Sequence, residues 1–270
     1  MSGAPAARGT SDLRARILVS VPAVAFAIFI VASGGIIFTL GILALGLVCL
    51  HELFGMFDRA HPVRLAGFIG LAGMLFAADF GGHYELTLAA AACVPLTFAF
   101  VLLQPRGGAP AIAVTFLGLF WVGLALAVVI MLRELPHGGA IIIDVLVGTF
   151  IGDTGAYFGG RLFGHRKLAP AISPNKTVEG LVLGMVTAVF AVWAAGLYQD
   201  WLSHGQALLL GLGVAIAAPV GDLFESFLKR DAGTKDTGRL FGAHGGALDR
   251  LDAALFTVVV GYFIWHAMAL

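Results

Sequence analysis

The feature that most constrains this chain is a succession of apolar runs, each close to the length of a bilayer crossing. A spanning helix needs ~17–25 consecutive, mostly apolar residues. Such runs recur at about 17–33, 35–50, 63–78, 85–103, 109–132, 138–160, 177–198, 205–228 and 251–268. They predict an all-α, polytopic integral membrane protein with about nine transmembrane helices. Composition agrees: 59% of the 270 residues are apolar and 12% are charged, and the mean hydropathy is +0.96. A soluble domain carries about twice that share of charge. Residues 1–13 are small and polar and are expected to form a disordered tail, leaving 14–270 as one transmembrane domain. The first run, behind Arg14 and Arg16, could pass for a signal peptide cleaved near Ala32-Ser33-Gly34. More apolar runs follow at once, so it is read as a retained span.

Lys and Arg set the expected orientation. With the N-terminus in the cytoplasm, the inner segments carry Arg8, Arg14, Arg16, Arg59, Arg64, Arg106, Arg161, Arg166, Lys167, Lys176, Lys229, Arg230, Lys235, Arg239 and Arg250. The outer segments carry Arg133 alone. Cytoplasmic loops are the ones enriched in such residues. The chain is therefore expected in a cell (inner) membrane as a multi-pass protein, N-terminus in and C-terminus out. Tyr198, Trp201 and Trp265 fall at outer helix ends, as interfacial aromatics do. Glycines such as Gly67, Gly70 and Gly73 are expected to let helices pack closely. The balance of 16 basic and 16 acidic residues excludes nucleic acid as a bulk partner. Cys49 and Cys93 lie within apolar runs and read as small core residues.

One polar stretch breaks the pattern. Ser226 to Asp252 reads SFLKRDAGTKDTGRLFGAHGGALDRLD and crowds cations, carboxylates and glycines between two apolar runs. Asp222, Glu225, Ser226 and Lys229 lie three, four and seven residues apart, on one helix face. Pro219, just before them, predicts a kink and a free carbonyl. Gly245 and Gly246, after His244, offer backbone N–H groups as an anion nest. Asp249 and Asp252 share a helix face, and hard oxygen ligands of this kind suit Mg²⁺ rather than zinc. On the same side of the membrane lies a second region, from Asp153 to SPNKTVEG at 173–180. Ser173-Pro174 is extended, Thr177 suits a helix entry, and Lys176 would share a phosphate with that helix's free N–H groups. Glu179 would orient the lysine or cap the helix. Asp153 is read either as a structural ion pair with Arg161 or a neighbouring helix, or as part of the site. Asp144, in the outer half of its helix, has no reading beyond an interhelical partner.

The order of these residues resembles the signature of phosphatidate cytidylyltransferases, also called CDP-diacylglycerol synthases. That signature runs S-x-x-K-R, four residues, K-D, then H-G-G-x-x-D-R-x-D. Here it falls on Ser226, Lys229, Arg230, Lys235, Asp236, His244, Gly245, Gly246, Asp249, Arg250 and Asp252. Gly242-Ala243 stand where the family usually has Pro-Gly, and Ala247 where it has a larger aliphatic residue. Asp-Thr-Gly-Ala-Tyr from Asp153 and Ser-Pro-x-Lys-Thr-x-Glu-Gly from Ser173 are similar to further family segments. The resemblance covers about residues 150–255, with weaker likeness at Arg16-Ile17 and His51-Glu52-Leu53-Phe54.

The resemblance implies a transmembrane catalytic domain that joins CTP and phosphatidic acid into CDP-diacylglycerol and pyrophosphate on the cytoplasmic side. Asp222, Lys229, Lys235, His244, Asp249 and Arg250 would be its catalytic residues. Ser173, Lys176, Thr177, Ser226, Arg230, Arg239, Gly245 and Gly246 would hold substrate phosphates. Asp222 and Asp249, with Asp153 and Asp252 as second choices, would hold Mg²⁺ and any second cation. A homodimer is left open. The alternatives are a CTP-dependent kinase acting on a polyprenol or other lipid, and a membrane transporter. A transporter would line a path across the membrane with polar residues, whereas here they crowd at one face.

Overall fold

The computed structural model describes residues 22–103, 106–238 and 245–269. The helices are α1 Pro22–Ser33, α2 Gly35–Met56, α3 Arg64–Phe80, α4 His83–Leu103, α5 Gly108–Gly118, α6 Leu124–Glu134, α7 Gly138–Phe163, α8 Val178–Gly196, α9 His204–Asp231 and α10 Leu248–Ala269. A π-helical turn, Leu119–Gly123, joins α5 and α6 into one rod of 27 residues. The described helices thus occupy the nine places that the apolar runs predicted. Seven of these segments are long and apolar enough to cross a membrane, and α3, at 17 residues, is just short. The expected tail at residues 1–13 and the start of the first span lie outside the described residues.

Two boundaries move, and both matter for the site. Helix α2 continues past residue 50 to Met56, taking His51 and Glu52 inside it. Helix α10 starts at Leu248, so Asp249 falls in its first turn. A feature absent from the sequence reading is a small antiparallel hairpin between α7 and α8. Its strands are β1 (Lys167–Ala169) and β2 (Ser173–Thr177), with Lys167 opposite Thr177 and Ala169 opposite Ser173.

Contacts at the helix ends agree with a strict up-and-down order. At one end Glu52 of α2 meets the start of α10, and Arg230 of α9 donates to the Ile172 carbonyl of the hairpin (3.2 Å). At the other end the Tyr262 hydroxyl lies 3.0 Å from His83 Nε2, and Arg133 donates to the Val31 carbonyl (3.0 Å). That arginine bond, with Ile30 and Val31 buried in the core, ties α1 to the bundle as a span should be. Trp201 stacks on His137 (ring centroids 4.0 Å apart). Trp265 lies at the same end beside Trp201 (ring centroids 5.4 Å apart), buried, with its indole N–H donating to the Pro136 carbonyl (2.8 Å). Asp144 gains the partner it lacked in sequence, since Gln199 donates to both of its oxygens at 3.0 Å.

Small residues set the closest helix contact, between α7 and α8. A Cβ on Gly184 would sit 2.7 Å from the Ala156 Cβ and 3.0 Å from the Gly152 carbonyl oxygen. In lipid such close backbone approach replaces the hydrophobic drive that water would supply. Of the α3 glycines, Gly67 packs under Phe54, and Gly70 under Cys93 and Leu119, while Gly73 has nothing within 4 Å. Only two of the three therefore do the expected work. Both cysteines are buried and unpaired. Helix α9 runs through Pro219 as one helix. The proline leaves the Ala215 carbonyl without its donor four residues on.

Candidate active site

The ends of α7, α8, α9 and α10 that meet at the hairpin enclose a cavity of about 650 Å³. Helix α7 contributes Asp153, Tyr157 and Arg161, the hairpin contributes Ser173, Asn175, Lys176 and Thr177, and α9 contributes Pro219 and Asp222. Asp249 and Asp252 enter from α10. Farther into the membrane the walls are Leu181, Gly184, Met185 and Ala188 of α8 and Ala215 and Ala218 of α9. The cavity is thus polar at the hairpin end and apolar at the other.

Local chemistry explains how each polar group is placed. Thr177 is the N-cap of α8, and its hydroxyl accepts from the Gly180 N–H at 3.1 Å. That cap sets the direction in which β2 delivers Lys176, whose ammonium forms an ion pair with Asp222. Glu179, in the first turn of α8, accepts its own backbone N–H, as a cap does, and does not pair with the lysine. Its carboxylate accepts the N–H groups of His165 (3.1 Å) and Arg166 (3.2 Å), pinning the chain where α7 gives way to the hairpin. Arg161 donates to the Tyr157 hydroxyl (3.1 Å), so the contact seen for it is not the Asp153 pair that was one reading.

Behind the cavity wall a second cluster fixes the start of α10. Lys229 Nζ lies 2.7 Å from Glu225 and 2.9 Å from Asp249. Asp249 accepts in addition from the Thr237 N–H and hydroxyl, both at 2.9 Å, and from the Gly246 N–H at 2.8 Å. Glu52 reaches in from α2 and accepts the N–H groups of Ala247 (3.0 Å) and Leu248 (2.9 Å). A carboxylate suits that position, because the first N–H groups of a helix lack intrahelical acceptors and carry partial positive charge. Gly246 lies against the Glu52 carboxylate where a Cβ would collide, and Gly245 has φ 78°, which favours glycine. The two glycines serve here as room and turn for the segment entering α10.

The structure therefore brings Asp153, Ser173, Lys176, Thr177, Asp222, Asp249 and Asp252 to one cavity, with Lys229, Gly245 and Gly246 immediately behind. Ser226 is half-buried on α9, while Lys235 and Arg250 are exposed, and these three lie outside the cavity lining. Arg230 anchors the hairpin loop through Ile172. His244 and Arg239 lie outside the described residues. Sequence reasoning missed Glu52 and Thr237 as parts of the site and counted Glu225 only as a face of α9. A charge inside a spanning helix marks a functional position by default, and that signal pointed to Glu52 once α2 was seen to continue past it.

Comparison with known proteins places this geometry. Residues 14–268 match the profile of the Cytidylyltransferase family. A phosphatidate cytidylyltransferase of Bacillus subtilis (strain 168) is 36% identical over 265 residues, covering 94% of this chain and 97% of that protein. One from Brucella suis biovar 1 is 32% identical over 261 residues, covering 93% of each chain. One from Helicobacter pylori (strain J99) is 44% identical over 140 residues, about half of each chain. With a match over nearly its whole length and relatives aligned end to end, the chain belongs to the cytidylyltransferase family.

Proposed function

We propose that the chain is a phosphatidate cytidylyltransferase: it transfers the cytidylyl group of CTP to phosphatidic acid, releasing pyrophosphate. The family places it among nucleotidyltransferases of phospholipid biosynthesis. The observation that carries the reading for this chain is the two-ended cavity. Carboxylates and Lys176 stand at its hairpin end and lipid-depth alanines, leucine and methionine at the other. A water-soluble triphosphate and a membrane-held phosphate can meet only where both media reach. The one-sided Lys and Arg distribution supports a cytoplasmic placing of the hairpin end.

In the reaction an oxygen of the phosphatidate phosphate attacks the α-phosphorus of CTP. The new P–O bond forms as the bond from the α-phosphorus to the oxygen bridging to the β-phosphorus breaks. Pyrophosphate leaves with that electron pair. The attacking phosphate is already anionic near neutral pH, so the site need not remove a proton. Its work is to hold two anions in line and stabilise the charge that gathers between them. Lys176 faces the cavity with Asp222, and we assign it a phosphate. Ser173, Asn175 and Thr177 border the same space and can donate to phosphate oxygens. Helix α8 starts beside them, so its first N–H groups add positive potential.

The lining supports a role for a divalent cation. Asp153, Asp222, Asp249 and Asp252 outnumber Arg161 and Lys176. A wall of net negative charge receives two phosphate-bearing substrates only with cations between. Among the described residues no three His, Cys, Asp or Glu side chains are placed to hold an ion alone. Mg²⁺ fits that pattern, since it takes one or two carboxylates and completes its shell with water and phosphate oxygens. Asp222 and Asp249 are assigned to it, with Asp153 and Asp252 facing them. When bound, the ion would neutralise phosphate charge and align the reactants. The test is purified protein in detergent with phosphatidic acid, labelled CTP and Mg²⁺. The expected product is a labelled CDP-lipid. Transfer of only the terminal phosphate of CTP to a lipid alcohol would establish the kinase alternative instead.

A further inference from the structure

The hairpin end carries cations that the cavity does not use. From Thr154 to Val178 the chain has no acidic residue, but it has Arg161, His165, Arg166, Lys167 and Lys176. Arg161 and Lys176 line the cavity. Arg166 and Lys167 stand outside its lining, exposed where the chain enters β1. Among the described residues neither side chain has an acidic partner, whereas Arg64 pairs with Asp58 at 2.9 Å. Their backbones are tied down. The Arg166 N–H donates to Glu179 (3.2 Å), the Arg166 carbonyl accepts from the Val178 N–H (2.9 Å), and Lys167 stands opposite Thr177. The two charges are thus presented from a fixed frame.

What lies beside them identifies the partner. Phe158 and Leu162, one turn apart on α7, are 51% and 68% exposed, and Phe163 is 59% exposed. They form the ridge next to Tyr157 and Arg161, which line the cavity. Exposed apolar side chains at the end of a spanning helix face acyl chains, and Arg166 and Lys167 follow Phe163 by three and four residues. That places both cations at head-group depth. Basic residues just beyond a spanning helix attract anionic head groups, about fivefold in affinity for each Lys or Arg. We propose that Arg166 and Lys167 form a surface site for the head group of an anionic phospholipid other than the substrate.

Occupancy has a route to the reaction. β1 pairs with β2 through Lys167 and Thr177, and Thr177 caps α8 directly after Lys176. A head group held at the start of β1 restrains that pairing and with it the position of Lys176. This step rests on the reading of the cavity as the site of cytidylyl transfer. Anionic phospholipid should then raise the rate at fixed substrate, because a better-held Lys176 aligns the reacting phosphate. The attraction is electrostatic and weakens with salt.

The experiment uses mixed micelles to which phosphatidylglycerol or zwitterionic phosphatidylcholine is added at equal total lipid. Hydrogen exchange across residues 166–177 is followed without substrates. CDP-lipid formation is followed in parallel with fixed, low phosphatidate, CTP and Mg²⁺. In wild type, phosphatidylglycerol should slow that exchange and raise the rate, and phosphatidylcholine should do neither. Arg166→Gln with Lys167→Gln removes both cations, so half-saturation by phosphatidylglycerol should move up about thirtyfold. Its Tm and its rate in phosphatidylcholine should match wild type. Arg59→Gln with Arg106→Gln removes the same charge from exposed positions at the α2–α3 and α4–α5 turns and should respond as wild type does. Unchanged exchange in wild type would overturn the proposal. So would an equal loss of response in the control pair, which would make the effect one of general surface charge. Slowing by inorganic phosphate at the same ionic strength would give the site to a free anion instead. Slowed exchange with an unchanged rate would refute the coupling to Lys176. A wild type whose exchange slows but which makes no CDP-lipid in any micelle would support the lipid site and refute the reading of the cavity itself.

Discussion

Replacing Glu52 tests whether a residue far from the signature holds the signature in shape. Glu52 is only 7% exposed, and its two oxygens accept the N–H groups of Ala247 and Leu248. A hydrogen bond to a charged acceptor contributes about 1.5–3 kcal/mol. Two such bonds sum to about 3–6 kcal/mol, and because water from the nearby cavity can replace part of them, about 3 kcal/mol is the working figure for Glu52→Ala. Little of this should appear as global unfolding, since the neighbours Leu50, Leu53 and Phe54 keep α2 in the core. The loss falls on the segment from Thr237 to Leu248, which carries Gly246 and leads into Asp249. At 1.36 kcal/mol per tenfold, about 3 kcal/mol of lost preorganisation slows CDP-lipid formation about a hundredfold. Glu52→Gln keeps one acceptor oxygen but turns an NH₂ toward the other N–H, so about tenfold is expected. The assay is kcat and KM for CTP with each purified variant, beside its Tm in detergent. A Glu52→Ala protein with normal Tm and a kcat/KM within about twofold of wild type would refute the assignment. A large fall in Tm with normal activity per folded molecule would make Glu52 a packing residue only.

Other predictions use the same assay. Asp222→Asn should lower the rate by about 10²–10³ and raise the Mg²⁺ midpoint. Asp249→Asn should lower it as much, and its Mg²⁺ midpoint separates lost metal binding from lost loop structure: an unchanged midpoint assigns Asp249 to the loop alone. Lys229→Met strands the buried Glu225 and Asp249 charges and should cost about 3–5 kcal/mol of stability, whereas Lys176→Met should leave Tm nearly unchanged and raise KM for CTP. Gly184→Leu forces α8 off α7 and should lower Tm, an overpacking cost of about 1–3 kcal/mol or more. For topology, His204→Cys and Asp231→Cys in a background without Cys49 and Cys93 should react oppositely with an impermeant thiol reagent in intact cells. Labelling at 204 and protection at 231 is expected, and the reverse would invert the orientation.

The fold was largely legible because in lipid an apolar run of the right length has few alternatives to a helix. The misplaced boundaries came from ending a helix at its first charge. His51 and Glu52 stop an apolar run, yet α2 continues, because the partners of Glu52 lie 195 and 196 residues away in sequence. No local pattern contains that information. The β1–β2 hairpin was hidden for another reason: its strands are short, polar and partly exposed, so the extended backbone expected at Ser173-Pro174 carried no sign of the partner strand at Lys167–Ala169. Asp144 was legible as an anomaly but not as an answer, since Gln199 belongs to the segment after α8. Most of the charged residues that line the cavity were legible, because carboxylates and lysines have no cheap place in such a chain unless they are paired or at work, whereas Glu52 was not.

What the sequence patterns could not reveal is that the charged residues around the cavity divide between two tasks. Lys229 illustrates the division. Its ammonium sits between Glu225, which is fully buried, and Asp249, which is partly buried and borders the cavity. A phosphate that drew Lys229 away would leave the Glu225 carboxylate unpaired in a low-dielectric interior, at a cost of several kcal/mol. Lys229 is therefore held to the scaffold by the charge behind it. Asp249 is likewise engaged by Lys229, Thr237 and Gly246, close to the four lone-pair sites of a carboxylate. Lys176 and Asp222 are different: they are partly exposed, border the cavity, and have each other as the ion-pair partner seen here. An incoming phosphate can take the lysine while a cation takes the aspartate, and neither exchange strands a buried charge. Pairing of this kind holds the groups in place before substrate arrives and releases them to it at little cost. The signature holds Lys229 and Asp249, while Lys176 comes from the SPNKTVEG segment and Asp222 lies just before the signature on α9. Lys229 is held to the scaffold, Asp249 keeps a face on the cavity and with it a place in the proposed Mg²⁺ site, and Lys176 and Asp222 give up their mutual ion pair when substrate and cation arrive.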